Sequence, residues 1–346
     1  MRLAEFQSKA VEDLGRIYPE QEARSIVSLL IQERLGLPSY VPVTEPDREI
    51  PTDRLDEDLK RLLDNEPIQY VLGYAEFYGR RFRVTPDVLI PRPETEELIE
   101  AVLRCPVAQE HDPAILDLCT GSGCIAWTLA LEIPDATVVG VDISPKALQV
   151  ARSQFKDPRV SFRRADVLEI SPLASLGRND NSDVLSSNSD VLSSNSDVLS
   201  SNPDVLSSNS DVLSSNSNVL SSNPDVLSSN PDVISSAVER SPEKFDIIVS
   251  NPPYVLESER ADMRRNVLDY EPALALFVPD EDPLIFYRAL AAHAKALLAK
   301  NGFGIFEANS RFCGEIAELL KPDFIDVRIL KDISGRDRFV SFRNAE

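Results

Sequence analysis

Histidine and cysteine are scarce in this 346-residue chain, which has two His (His111, His293) and four Cys (Cys105, Cys119, Cys124, Cys313) with no CxxC pair. That scarcity argues against a disulfide framework or zinc cluster and points to reduced thiols in a cytosolic, cytoplasmic protein. Nothing supplies the ligand set of a metal enzyme or the triad of a Ser/His hydrolase. Long apolar runs are missing too. None approaches the roughly 18 uncharged residues of a membrane span, and the N-terminus, MRLAEFQSKAVEDLG, has no apolar segment of the secretory-signal kind. Positive charge is also short. The 36 Lys and Arg face 57 Asp and Glu, a net −21, which suits the chain poorly for gripping a phosphate backbone over a broad surface.

Against these absences, 42% of the residues are apolar, enough for a core, and the length suggests two domains. From Asn181 to Ser236 the heptad NSDVLSS runs eight times, with Pro203, Pro224 and Pro231 replacing Ser. The period invites a coiled coil, but Val and Leu are adjacent, whereas a seam needs apolar residues three and four apart. Ser, Asn, Asp and Pro oppose helix interiors, and two apolar residues in seven cannot offset the entropy of ordering. The tract is expected to be a disordered, low-complexity insertion. Taking its 56 residues and seven Asp out of the 346 leaves 290, with 50 acids against 36 bases and a net charge of −14.

Residues 1–75 place apolar side chains at three- and four-residue spacing over LAEFQSKAVEDLGRIY, PEQEARSIVSLLIQERLG and LDEDLKRLLDNEPIQYVLG, which predicts a small domain of three helices. Residues 76–113 read as a link: a β-hairpin over FYGRRFRVT, then a helix over PRPETEELIEAVLR with acids in its first turn, where they suit the dipole. Arg92, just before that helix, is placed to meet an anionic group or only a neighbouring Glu. Residues 114–346 alternate strands (AILDL, TVVGVDI, VSFRRAD, FDIIVS, GFGIFEAN) with helices, including a long one over DPLIFYRALAAHAKALLAK, and close with FIDVRILKD and DRFVSFR around an ISGR turn. Alternation of this kind predicts a doubly wound α/β sheet with an antiparallel hairpin at one edge.

The candidate chemistry lies at the carboxyl ends of three strands. DLCTGSG (117–123) leaves the first strand for a helix, where small residues admit a ligand to the backbone and the helix N-terminus offers unpaired N–H groups. Asp142 ends the second strand, where an acid hydrogen-bonds ribose hydroxyls. Asp166 follows the third, within reach of an adenine amino group. Together they favour an adenosine cofactor. The fourth strand runs into Asn251-Pro252-Pro253-Tyr254, a corner stiffened by proline. The Pro252 carbonyl and the Asn251 side-chain oxygen can hold both hydrogens of a planar NH2 group, against which Tyr254 stacks. Holding a poor amide nucleophile in line with a sulfonium methyl is catalysis by positioning.

These residues carry a resemblance. PIQYVLGYAEFYGRRFRVTPDVLIPRPETEELIE (67–100), DLCTGSGCIAWTLA (117–130), VVGVDIS (138–144), FDIIVSNPPY (245–254) and YEPALALF (270–277) are similar to stretches of the HemK-type (PrmC) peptide chain release factor glutamine methyltransferases. The likeness covers nearly all residues outside the repeat, and LIPRPETEELIE is its most specific part. It implies a seven-stranded Rossmann-like methyltransferase domain behind a helical N-terminal domain that grips the release factor. It also implies methyl transfer from S-adenosyl-L-methionine to the side-chain amide N5 of the Gln in the Gly-Gly-Gln motif of class 1 translation release factors. By the resemblance, Cys119, Thr120, Gly121, Ser122, Gly123, Asp142, Val167 and Asn251 bind the cofactor, joined by Asp166 from its strand-end position, and Asn251, Pro252, Pro253 and Tyr254 bind the substrate. Catalysis would fall to Asn251, Pro252 and Tyr254. No metal, membrane or direct nucleic-acid partner is expected, and the protein is taken as a monomer.

Two departures stand out. Cys119 occupies the place of the family's first loop glycine, so a positive φ there would add strain of about 1 kcal/mol or somewhat more. The heptad tract occupies a connection that is short in the family, at a loop-closure cost that grows only logarithmically. Two alternatives use the same tetrapeptide: a glutamine methyltransferase of a ribosomal protein, and a nucleic-acid amino-methyltransferase. Net −14 and the brevity of RRFRVT (80–85) weigh against the second.

Overall fold

Leu3, Phe6, Ala10 and Leu14 fall on one face of helix α1 (Leu3–Leu14) and are buried. They meet Ala23, Val27, Leu30 and Ile31 of α2 (Glu20–Leu35) in a core of their own. Each of the Leu, Ile, Val and Phe side chains among them contributes roughly 1.5–3 kcal/mol on burial. The computed structural model describes residues 1–110, 112–169 and 244–345; His111 and the 181–236 repeat, with its expected disorder, lie outside them. A short α3 (Val41–Thr44) precedes α4 (Asp53–Leu63). Gly36 ends α2 in the left-handed region at φ +65°, as a stop glycine does.

The third predicted helix is two. After α4 the chain breaks at Asn65, which sits at φ +71°, and resumes as α5 (Ile68–Leu72). Pro67 has no N–H to give and turns its predecessor away from helix. Arg61 rejoins the pieces by gripping both oxygens of Glu66, at 2.7 and 2.5 Å, and the carbonyls of Tyr70 and Val71.

The hairpin forms as β1 (Tyr74–Phe77) and β2 (Arg80–Arg83). Phe77 and Phe82, fully buried and edge-to-face, join the core of the sheet rather than that of the N-terminal helices. Helix α6 (Pro93–Arg104) follows with proline in its first turn.

Seven strands make the main sheet: β3 (Ala114–Leu118), β4 (Thr137–Asp142), β5 (Val160–Arg164), β6 (Phe245–Ser250), β9 (Leu298–Glu307), β10 (Ile325–Lys331) and β11 (Asp337–Arg343). Their order is β10-β11-β9-β6-β3-β4-β5, parallel from β9 through β5, with the β10–β11 pair antiparallel at one edge. Strand β3 is buried along its whole length, which explains its continuous apolar run. Helices α7 (Cys124–Glu132) and α8 (Pro145–Arg152) cross over between the strands. The connection after β6 holds two-residue strands β7 (Val255–Leu256) and β8 (Phe277–Val278), a 3-10 turn and α9 (Arg265–Leu268).

The long C-terminal helix α10 (Ile285–Leu297) starts three residues beyond Asp282 and stops before the predicted end at Lys300. Leu298 instead begins β9 and pairs with Phe245. The Asn344 side chain takes the carbonyls of Leu298 and Ala299 at 3.0 and 3.1 Å, so a distant residue supplies partners outside a helix. Helix α11 (Cys313–Leu320) then leads to the closing hairpin.

Candidate active site

Strand β3 ends in a loop that folds back over the sheet. Cys119, Gly121 and Gly123 all hold positive φ, +63°, +54° and +79°, so the condition for strain at Cys119 is met, at about 1 kcal/mol or somewhat more. Thr120 donates its N–H to the carbonyl of Val141 (2.9 Å) and its hydroxyl to Asp117 (2.5 Å). Gly140 on β4 makes room for this: a Cβ there would stand 2.6 Å from the Phe162 ring and 2.9 Å from the Thr120 hydroxyl.

Asp142 pins the loop to the second strand. One carboxylate oxygen accepts the N–H of Gly121 and the other that of Ser144, each at 2.9 Å. A carboxylate has about four acceptor positions, so positions remain for a pair of ligand hydroxyls. Burial pushes the Asp142 pKa up, while the N–H groups of Ser144, Gly121 and Ile143 oppose the shift. Asp166, two residues beyond β5, accepts the N–H of Leu168 at 2.8 Å on one oxygen. Val167 is buried, and its carbonyl lies 2.8 Å from the His293 ring of α10.

A cavity of about 280 Å³ opens where these elements meet. Cys119, Thr120, Gly121, Ser122, Asp142, Asp166, Val167, Asn251 and Pro253 line it. Gly123, Pro252 and Tyr254 do not. A Cβ on Gly123 would meet Ala151 at 3.0 Å, Trp127 at 3.1 Å and Phe162 at 3.2 Å, so Gly123 serves the close packing of α7 on the sheet. Pro252 is buried. The Tyr254 hydroxyl turns inward to Glu307 at 3.1 Å.

Four residues about the cavity escaped the sequence reading. Glu271 has a side chain only 1% exposed; it accepts from Arg92 at 2.7 Å and from the N–H of Ile90 at 3.2 Å. Arg92, one of the cavity's wall residues, is therefore paired, and with a carboxylate far along the chain. Asp87 also lines the wall and pairs with Lys146 at the rim, 3.2 Å away. Thr95, in the first turn of α6, and Glu307, which ends β9, meet behind Asn251. An acid at a parallel strand's carboxyl end was the available signal for Glu307. Burial raises its pKa to about 7, against the hydrogen bonds of Thr95 and Tyr254 and the charge of Arg338.

The site's character is acidic. No ion pair among the described residues neutralises Asp142 or Asp166, and the cavity's one arginine is balanced by Glu271. Such a wall favours a cationic ligand with hydroxyl and amino groups and opposes a pyrophosphate.

Comparison with known proteins identifies the family. A methyltransferase-domain family model matches residues 109–240. A release factor glutamine methyltransferase of Bacteroides thetaiotaomicron is 35% identical over 95% of this chain and 96% of its own length. One from Flavobacterium psychrophilum is 31% identical over 98% of each. The chain belongs to the release factor glutamine methyltransferase family. It is accordingly an enzyme of the methyltransferase class, with the mostly parallel seven-stranded α/β sheet expected from the sequence. A solved protein-(glutamine-N5) methyltransferase from Alicyclobacillus acidocaldarius covers 77% of this chain and all of its own at 23% identity, with a TM-score of 0.37. Among the described residues no helix is long and apolar enough to cross a membrane, and no cluster of His, Cys, Asp and Glu is arranged to hold a metal.

Proposed function

We propose that this protein transfers a methyl group from S-adenosyl-L-methionine to the side-chain amide nitrogen of the Gln in the Gly-Gly-Gln motif of class 1 release factors, acting as a cytoplasmic monomer. The observation that carries the reading is the convergence of Asn251 with the Cys119–Ser122 loop, Asp142 and Asp166 on one acidic cavity.

The residues present fit the cofactor. Asp142 retains acceptor positions for the ribose hydroxyls, Asp166 has an oxygen unused by Leu168 for the adenine amine, and the anionic wall suits a cation. When bound, S-adenosyl-L-methionine supplies a methyl carbon made electrophilic by its sulfonium. Asn251, whose side-chain oxygen has no donor among the described residues, accepts one hydrogen of the substrate NH2. That hydrogen bond strengthens as the nitrogen takes on positive charge, which is when stabilisation counts. The proline corner holds the acceptor rigidly in place. Residues 1–75 are assigned to gripping the release factor, 76–113 to linking, and 114–346 to the reaction. Tyr254 has its hydroxyl bound to Glu307, so its ring is held beside Asn251 in a fixed orientation.

The test is mass spectrometry of purified release factor incubated with the protein and S-adenosyl-L-methionine, with Asn251→Ala alongside. A gain of one methyl on the Gly-Gly-Gln glutamine, lost in the variant, is expected. Methylation of a ribosomal protein or of RNA, with release factor untouched, would overturn the substrate assignment.

A further inference from the structure

Asn251 can present either end of its amide to the cavity, and only the oxygen accepts a hydrogen from a substrate NH2 group. The surrounding groups choose between the two. Glu307, 1% exposed, has both carboxylate oxygens engaged: Oε2 by the Thr95 hydroxyl at 2.8 Å and Oε1 by the Tyr254 hydroxyl at 3.1 Å. An ionised carboxylate only accepts, so Thr95 spends its single hydroxyl proton on Glu307. Among the described residues the other hydrogen-bond partner of Thr95 Oγ1 is the Asn251 amide at 3.2 Å. With its proton committed, Thr95 can only accept there. Asn251 must therefore turn Nδ2 inward, and Oδ1 faces the cavity.

We infer that Glu307 and Thr95 are positioning residues, a carboxylate–hydroxyl relay that fixes the amide of Asn251 with its oxygen toward the substrate. The inference rests on the proposed methylation of an amide but concerns an orientation that exists before any substrate binds. The relay draws on three regions far apart in sequence: the first turn of α6, the end of β6 and the end of β9. Thr95 is 2% exposed and Glu307 1%, so water does not compete for the same bonds. With Oε2 of Glu307 protonated, that oxygen donates to Thr95 instead of accepting from it, the Thr95 proton is free for Asn251, and the amide can flip. The groups facing Glu307 are Thr95 and Glu94 from α6, Cys124 from α7, Tyr254 beyond β6, Arg338 from β11 and Tyr287 from α10, whose hydroxyl binds the Glu307 carbonyl at 3.0 Å. Burial outweighs Arg338 and places the transition at about 7, so orientation is held above that pH and lost below it.

Two readouts test the relay. The first is NMR of the full-length protein labelled with 15N-asparagine, the Asn251 side-chain signal being assigned by its loss in Asn251→Ala. In the wild type that signal should move with a midpoint near pH 7. The movement should vanish in Glu307→Gln and Thr95→Val and persist in Thr95→Ser. The second is kinetics on release factor with S-adenosylhomocysteine affinity measured beside it. Thr95→Val should lower kcat roughly 10- to 100-fold while the affinity changes by less than about threefold, and Thr95→Ser should restore kcat. An Asn251 signal in Thr95→Val that titrates as in the wild type overturns the inference, whatever the rate does. So does a Thr95→Ser variant as slow as Thr95→Val. A wild type inactive on release factor whose Asn251 signal behaves as described would sink the proposed substrate and leave the relay standing.

Discussion

Nη2 of Arg92 lies 2.7 Å from Oε1 of Glu271, joining the residue before α6 to the segment after α9 across 179 positions of chain. The same carboxylate accepts the N–H of Ile90, and the next residues, Pro272, Leu274 and Ala275, form part of the cavity wall. Two hydrogen bonds therefore hold one wall of the site against the segment that leads into α6. They also explain how an otherwise irregular stretch keeps a defined position.

The two members of that pair are unequal. Arg92 is 32% exposed and Glu271 only 1%. Arg92→Ala strands a buried carboxylate and is expected to cost roughly 2–4 kcal/mol, less than a fully buried pair because water reaches Arg92. Glu271→Gln keeps an acceptor for the Ile90 N–H and leaves an arginine that can turn to solvent, at about 1 kcal/mol. Urea unfolding should rank Arg92→Ala well below Glu271→Gln. The reverse order would mean that the pair does not brace the wall.

Gly121 and Gly123 sit two residues apart with different duties. A Cβ on Gly121 meets nothing within 4 Å, so Gly121→Ala carries only the backbone cost of positive φ, about 1–2 kcal/mol. It also places a methyl at the lining of the cavity. Gly123→Ala adds contacts of 3.0–3.2 Å to the same backbone cost, and overpacking of this kind costs about 1–3 kcal/mol more. Gly123→Ala should be the less stable protein in urea. Gly121→Ala should weaken S-adenosylhomocysteine binding more, relative to the stability each loses. Calorimetry beside unfolding separates the two, and parallel losses would show that both glycines serve packing alone.

Much of this frame was readable from local pattern. AILDL and FDIIVS are short apolar runs because their strands are covered on both faces, and Asp142 was placed by its position at a strand end. What escaped was set by distance. Thr95 and Glu307 are 212 residues apart, and Arg92 and Glu271 are 179 apart. In the sequence Glu271 and Glu307 look like solvated acids, Thr95 like a first-turn hydroxyl and Arg92 like a partner for some anion, and only the crossing of strands shows which residues pair. The helix end at Leu297 was lost for the same reason, since Asn344 supplies the partners for the carbonyls of Leu298 and Ala299. The break at Asn65–Pro67 was present in the local residues, but the apolar spacing on either side runs through it.

Cys119 offers a direct test of strain in the loop after β3. Cys119→Gly relieves a non-glycine φ of +63°, a gain of about 1 kcal/mol. Against that, the unfolded chain gains freedom worth about 0.5–1 kcal/mol, and the thiol's packing is lost. Stability should change by less than about 1 kcal/mol in urea, because the two effects nearly cancel. The strain is present in the folded loop with and without ligand, so it drops out of the binding equilibrium. An unchanged S-adenosylhomocysteine dissociation constant is the expected result, and a weaker one would show that the thiol contacts the ligand favourably.

Asp117 at the end of β3 links the loop to pH. It is wholly buried; its Oδ2 accepts from Thr120 and from the N–H of Ala126, and its Oδ1 has no partner among the described residues. Burial, reinforced by the charge of Asp142, lifts its pKa from 3.8 to about 7, against those two hydrogen bonds. In the unfolded chain the group ionises near its ordinary value, so between about 4 and 7 the folded protein binds the extra proton. Its contribution to stability is therefore fully present below about pH 4 and is lost as pH rises through about 7. Asp117→Asn removes the buried charge while keeping an acceptor for Thr120 and Ala126. The variant should match the wild type in urea at pH 4.5 and exceed it at pH 8, the difference growing across the window to a few kcal/mol. A difference that stayed constant from pH 4.5 to 8 would show that Asp117 ionises as freely in the folded protein as in the unfolded chain.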